Sequence, residues 1–150
     1  MKDGDSLVYQ IYQVEGKMAV KDYRELEVYQ LAFRSAVRIH ELTKAWPNEE
    51  RYSLTDQIRR SSRSVCHNIA EAWRRRRYPN AFVNKLSESD AEAAETEVSL
   101  DFALHFGYIS NALHHELADD YDHICRQLTR MMEQPDKWTL LSAAKKASPR

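Results

Sequence analysis

The chain has 150 residues, 43% of them apolar, with only 3 Gly and 4 Pro; that suffices for one domain with a core and supplies too few turn residues for a sheet protein of this length. A net charge of −1, from 22 basic and 23 acidic side chains, excludes a global attraction to nucleic acid or to an anionic membrane. Cys66 and Cys125 lie in helical patterns without metal or redox spacing, and no apolar run nears the roughly 18 residues of a membrane span, so a soluble protein of the reducing cytoplasm is expected.

Residues 1–22 have mixed polarity around an apolar patch, Leu7, Val8, Tyr9, Ile11, Tyr12 and Val14, whose alternation is too poor for a strand. Regular patterning begins just after Met18, so the preceding 17 residues read as an optional extension with Met18 as a candidate start. From Arg24 to Trp46 a first helix is predicted with two adjacent apolar stripes. Leu26, Tyr29, Phe33, Ala36, Val37 and His40 form one; Val28, Ala32, Ile39, Leu42 and Trp46 form the other. Pro47 forces Trp46 out of helical geometry, and Asn48 marks the turn.

The next segment is the most informative. Between Asp56 and Tyr78 runs an amphipathic helical pattern whose faces have opposite chemistry. At about 100° per residue, Leu54, Ile58, Ser61, Ser62, Val65, Ile69, Ala72 and Trp73 share one side, and Arg59, Arg60, Arg63, His67, Arg74 and Arg77 the other. Its start falls near Ser53, where Ser53 or Thr55 can cap free backbone donors. Residues 51–78 hold eight Arg against Asp56 and Glu71.

Tyr78, Pro79 and Asn80 break that pattern, and Pro79 suits the first turn of a third helix reaching about Phe106. Its main stripe is Phe82, Leu86, Ser89, Ala93, Thr96, Leu100 and Ala103; a second is Ala91, Ala94, Val98 and Phe102. Gly107 reads as its left-handed terminator. Residues 79–107 set Lys85 alone against Glu88, Asp90, Glu92, Glu95, Glu97 and Asp101, so a charge dipole lies between neighbouring helices. Ser110 is a natural N-cap for a fourth helix with the stripe Leu113, Leu117, Tyr121, Ile124, Leu128 and Met131 or Met132, stopped by Pro135.

Four such helices on short turns predict an all-α, antiparallel up-down-up-down four-helix bundle over residues 23–133, flanked by an N-terminal extension, 1–22, and a C-terminal tail, 134–150. The extra stripes on the first and third helices exceed what a monomeric bundle buries, which points to a homo-oligomer.

Several segments in order complete the sequence reading: Leu26-Glu27-Val28-Tyr29-Gln30, Leu42-Thr43 before Trp46-Pro47, Tyr52-Ser53-Leu54-Thr55, Gln57-Ile58-Arg59-Arg60, Ser64-Val65, Asn68-Ile69-Ala70-Glu71, Glu95-Thr96-Glu97, Leu100-Asp101-Phe102-Ala103 and Gly107-Tyr108-Ile109. The set resembles the bacterial four-helix-bundle proteins encoded in intervening sequences of large-subunit ribosomal RNA genes. It also places the chain near the accessory variability proteins of diversity-generating retroelements. The resemblance implies a four-helix protomer in a pentameric ring, with a basic surface that in the retroelement relatives engages nucleic acid and a reverse transcriptase. It brings no enzymatic activity and no cofactor. Cys66 stands where relatives often carry Pro, and Ala72 and Ser53 where they carry Gly, so the second helix should be more continuous here.

The arginine face is the leading functional feature. Guanidinium forks match phosphate oxygens, and Trp73 and Tyr78 flank the run Arg74, Arg75, Arg76 and Arg77 with rings that could stack on unpaired bases. The expected nucleic-acid residues are Arg59, Arg60, Arg63, His67, Trp73, Arg74, Arg75, Arg77 and Tyr78. If the six residues of the basic face all bind phosphate, the log–log salt slope should have a magnitude of roughly 4 to 5. The competing reading pairs the same arginines with Glu88, Glu92 and Glu95, within a subunit or across an interface.

Asn68 and Glu71 are expected to be structural, making interhelical hydrogen bonds or capping a neighbouring turn. His115, Asp119 and His123 recur at four-residue steps, but His115-Glu116-Leu117-Ala118-Asp119 has Asp where a zincin helix needs its second His, so a solvated face is expected and no metal site. Cys66 and His67, adjacent on a helix, point about 100° apart and make no nucleophile–base pair. The expectation is a non-catalytic oligomer that binds RNA or DNA, with a reverse transcriptase as a possible partner protein. The alternative is a protein-interaction scaffold whose arginines form structural or intersubunit ion pairs.

Overall fold

The computed structural model describes residues 20–139, and within them the chain is all-helical, without a strand. Four long helices, α1 (Glu27–Thr43), α2 (Leu54–Arg74), α3 (Pro79–His105) and α4 (Asn111–Glu133), are accompanied by single 3-10 turns at Tyr23–Glu25, Asn48–Glu50 and Pro135–Lys137. The expected extension before residue 20 and the tail beyond 139 lie outside the described residues.

Helix boundaries follow local chemistry. α1 begins later than its pattern, because Asp22 caps the separate turn at Tyr23–Glu25 and Leu26 is extended. It also ends early, at Thr43, and Trp46 leaves the helix ahead of Pro47 to pack beside Tyr108, ring centroids 5.7 Å apart. At the start of α2 the expected cap is not made by Ser53, whose backbone is not in capping geometry, or by Thr55; the Glu50 carboxylate accepts from Leu54 N at 3.1 Å. α3 starts on Pro79 and ends before Gly107, whose φ of +77° is open to glycine without strain. Ser110 Oγ accepts from Leu113 N at 3.1 Å, as expected of the α4 cap.

The predicted inner stripes form one core. On α3 Phe82, Leu86, Ser89, Ala93, Thr96, Leu100 and Ala103 are buried, and on α4 Leu117, Tyr121, Ile124, Leu128 and Met131. Each large apolar side chain so removed from water contributes about 1.5–3 kcal/mol before chain entropy is counted. α2 and α3 meet along small side chains that let their backbones approach. There Thr96 Oγ1 donates to Ser61 Oγ at 2.8 Å, and Ser89 Oγ to Val65 O at 2.9 Å. Residues rising along α2 therefore meet residues falling along α3, and Thr43 and His40 likewise meet Arg59 and Arg63 in falling order. On α1 the stripe of Val28, Ala32, Ile39 and Trp46 is the buried one, whereas Phe33 and Val37 of the other stripe are about half exposed; on α3 the second stripe stays outside, with Val98, Phe102 and, just past the helix end, Phe106 also about half exposed.

Candidate nucleic-acid interface

α2 is continuous from Leu54 to Arg74, and Leu54, Ile58, Ser61, Ser62, Val65, Ile69, Ala72 and Trp73 are all buried. The wheel thus fixes which way the basic side chains face. Arg60, Arg63, His67, Arg74, Arg75 and Arg77 are exposed, whereas Arg59 and Arg76 are half-buried. Between Arg60 and Arg74 the row extends about 21 Å at a helical rise of 1.5 Å per residue. The turn after Arg74 carries Arg75, Arg76 and Arg77, and Pro79 holds Tyr78 extended.

Two of these arginines serve the protomer itself. Arg59 Nε donates to Thr43 Oγ1 at 2.8 Å and its Nη2 to the His40 carbonyl at 3.4 Å, tying α2 to the end of α1. Arg76 Nη1 donates to the Trp73 carbonyl at 2.9 Å, and its Cζ stands 4.1 Å from the centroid of the Trp73 ring. Arg63 Nη2 lies 3.1 Å from His40 Nδ1. A guanidinium only donates, so Nδ1 is the accepting atom of this contact.

Trp73 corrects the expected pair of stacking rings. It is 5% exposed, because it falls on the apolar side of α2 and Arg76 covers its ring, so it offers no face to a base. Tyr78, 64% exposed, remains beside the arginine run. Sequence reasoning passed over Tyr52, 84% exposed in the turn before α2, with the Arg51 guanidinium 5.3 Å from its ring centroid. It also left Arg76 unassigned, although three-residue spacing from Trp73 was the available signal.

The acidic side chains of α3 have other partners. Lys85 Nζ lies 2.8 Å from Glu88 and 3.0 Å from Glu71, and these carboxylates hold the ammonium above its ordinary pKa. Burial, and next the adjacent Glu95 carboxylate, push Glu92 above the usual carboxylate range, while Arg60 pulls it the other way. No salt bridge among the described residues joins an α2 arginine to an α3 carboxylate. Arg60 and Glu92 instead line a shared groove of about 570 Å³ together with Val98 and Phe102 of α3.

Of the polar pair expected to be structural, Glu71 makes the interhelical ion pair with Lys85. Asn68 does not cross between helices; its Nδ2 donates to Ser64 O of the preceding turn at 3.0 Å. His115, Asp119 and His123 are exposed on α4, while neighbouring His114 pairs with Asp101 at 2.8 Å. Burial pushes the Cys66 thiol up to about 12, and Cys125, beside Asp90 and Glu97, is likewise pushed to about 12 by burial first. Neither is activated for attack. No helix among the described residues is long and apolar enough to cross a membrane.

Residues 24–130 match the family model described as 23S rRNA-intervening sequence protein. A solved structure from Bacteroides thetaiotaomicron, described as a protein with unknown function from the S23 ribosomal protein family, is similar over 71% of this chain and 95% of that one, with 31% identity and a TM-score of 0.65. No curated protein matches the chain.

Proposed function

Since the chain belongs to the 23S rRNA-intervening sequence protein family, we propose that it is a non-catalytic, homo-oligomeric protein that holds RNA or DNA by its phosphates along the outer face of α2. The observation that carries this reading is the row Arg60, Arg63, Arg74, Arg75 and Arg77, exposed and, among the described residues, without a carboxylate within salt-bridge distance. Arginines in that state lose little desolvation energy and give up no ion pair when they meet a polyanion, Arg63 exchanging only its hydrogen bond to His40. With Trp73 withdrawn, the contact is chiefly to phosphate, and sequence preference would come from a partner such as a reverse transcriptase.

The scaffold proposed for this face is an antiparallel up-down-up-down bundle, supported by the falling order of the α1–α2 and α2–α3 contacts. The apolar row Val98, Phe102 and Phe106 supports subunit contact on α3, and the subunit number, five, follows the resemblance to ring-forming relatives. Reduced, buried or half-buried thiols at Cys66 and Cys125 suit the cytoplasm. One observation favours the scaffold alternative: Arg60 and the Glu92–Glu95 pair line the same groove, a place where opposite charges of two proteins could meet.

The deciding experiment is binding of labelled RNA and DNA at two salt concentrations by the native chain and by Arg60→Glu with Arg74→Glu. Phosphate binding predicts loss of affinity in the variant and a native log–log slope of about −3.5 to −4.5 for five contacts. Absence of binding by the native chain, together with a changed oligomer mass in the variant, would establish the interaction scaffold instead.

A further inference from the structure

Two rows of large apolar side chains lie on α1 and α3, helices that both pack on α2 and not on each other. On α1 the row is Tyr29, Phe33 and Val37, with the first two rings stacked at 6.0 Å. It forms one wall of a mostly apolar groove of about 380 Å³ that Arg63, Cys66 and His67 of α2 complete. On α3 the row is Val98, Phe102 and Phe106, with the two phenyl rings stacked at 5.9 Å. Val98 and Phe102 line the larger groove on the other side of α2, which Arg60 shares. Phe33, Val37, Val98, Phe102 and Phe106 are each about half exposed, and apolar patches of that kind mark contact sites. We infer that the two rows cover one another between copies of this chain: the α3 row of one copy seats in the α1–α2 groove of the next, head to tail.

Spacing and charge both support this pairing. Each row steps by four residues, so each is a ridge about 12 Å long, and two such ridges interlock at a crossing angle of about −50°. The α1–α2 groove carries Arg63, His40 and His67 and no carboxylate. Beside Val98 and Phe102, by contrast, Glu92 and Glu95 outnumber Arg60. Burial, and next Glu95, hold Glu92 above the usual carboxylate range, and a guanidinium arriving from another copy relieves that repulsion. Either face pairing with itself about a twofold axis would set Arg63 against Arg63 or Glu95 against Glu95. Head-to-tail contact sets Arg63 against Glu95 instead.

Head-to-tail contact also settles where the basic row points. Both contact faces lean towards α2, so successive copies turn towards that side, and a ring that closes has α2 on its inner wall. α4, with exposed His115, Asp119 and His123, is then left on the outside. The basic rows of all copies line one channel, and the ligand that fits it is a single strand threaded through the ring. The channel rests on the nucleic-acid binding proposed above, whereas the docking rests only on the homo-oligomer.

Val37→Asp and Phe102→Asp in the full chain, each spoiling one face only, test the docking by light scattering. Each variant alone should be monomeric. An equimolar mixture should form a dimer of one copy of each and nothing larger, because one intact pair of faces remains. A variant that dimerises alone would reveal a twofold contact and overturn the assignment, as would a mixture that stays monomeric or variants that keep the native mass. Arg63→Glu should weaken assembly about two- to fivefold, the scale of an exposed ion pair, and Glu95→Arg added in the same chain should restore it. No recovery would overturn the pairing of Arg63 with Glu95. A native chain that is itself monomeric would defeat the homo-oligomer proposed above together with the docking. RNA should saturate the native assembly at one strand per ring, and one strand per copy would overturn the inward placement of α2. Failure of every form to bind RNA would defeat the nucleic-acid reading and the channel with it, leaving the masses to decide the docking.

Discussion

Arg59 and Arg60 are consecutive, identical in chemistry and predicted to do different things. Arg59 Nε makes a 2.8 Å hydrogen bond to Thr43 Oγ1 and a longer one, 3.4 Å, to His40 O, and the side chain is half-buried. One well-formed hydrogen bond from a charged donor contributes about 1.5 kcal/mol net. Thr43 Oγ1 keeps its own donation to His40 O at 3.0 Å when Arg59 is cut back, so no buried donor is orphaned and the loss should stay near that figure. For a chain of this size it corresponds to about 3–6 °C in Tm. Arg60 is exposed and makes no hydrogen bond of this kind, so Arg60→Ala should move Tm by no more than the roughly 0.5 kcal/mol typical of surface changes. Binding should divide the other way: Arg60→Ala should reduce the magnitude of the log–log salt slope by about 0.7–0.9, and Arg59→Ala should leave it nearly unchanged. Thermal unfolding and RNA binding across a salt series, on the two single variants, read both quantities. Equal Tm losses, or equal changes of slope, would refute the division of labour between these neighbours.

Two further outcomes follow from the fold. Gly107→Ala should lose about 1–2 kcal/mol in urea unfolding, all of it from the backbone, since φ is +77° and an added Cβ meets nothing within 4 Å; Gly107→Asn should lose less. Glu97 has its carboxyl pKa raised, by burial first, so the folded chain holds that proton more tightly than the unfolded chain and stability falls as pH rises through the unfolded value of 4.5 up to the raised one. Glu97→Gln should therefore raise Tm at neutral pH, with the gain shrinking below about pH 4, where both side chains are neutral; calorimetry at the two pH values checks the sign.

The helices were legible because their inner positions repeat with the helical period over many turns. On α2 all eight residues assigned to the apolar side are buried, and on α3 the inner stripe turns inward while Ala91, Ala94, Val98 and Phe102 remain outside. Element ends were less legible. A helix cap depends on where a neighbouring side chain reaches, and Glu50 reaches Leu54 N where Ser53 and Thr55 were the local candidates. Within the candidate interface, the wheel already placed Trp73 on the apolar side; its position beside four arginines suggested an exposed ring that packing and Arg76 remove. The role of Arg59 was beyond sequence reading, since Thr43 lies on a different helix and the contact depends on how α1 and α2 cross. Asn68 bonds within its own turn, a choice that spacing alone does not distinguish from a contact between helices.

The hydroxyls joining α2 to α3 have a mechanical consequence for everything mounted on α2. Purely greasy surfaces can slide past one another by a turn at modest penalty, but a step of one turn here would strip Ser61 and Val65 O of their partners from the facing helix in a place closed to water. The cationic ridge is consequently bolted to its neighbour at a set pitch. Any anion lattice it recognises must conform to that ruler, because the ruler cannot stretch to suit the anion.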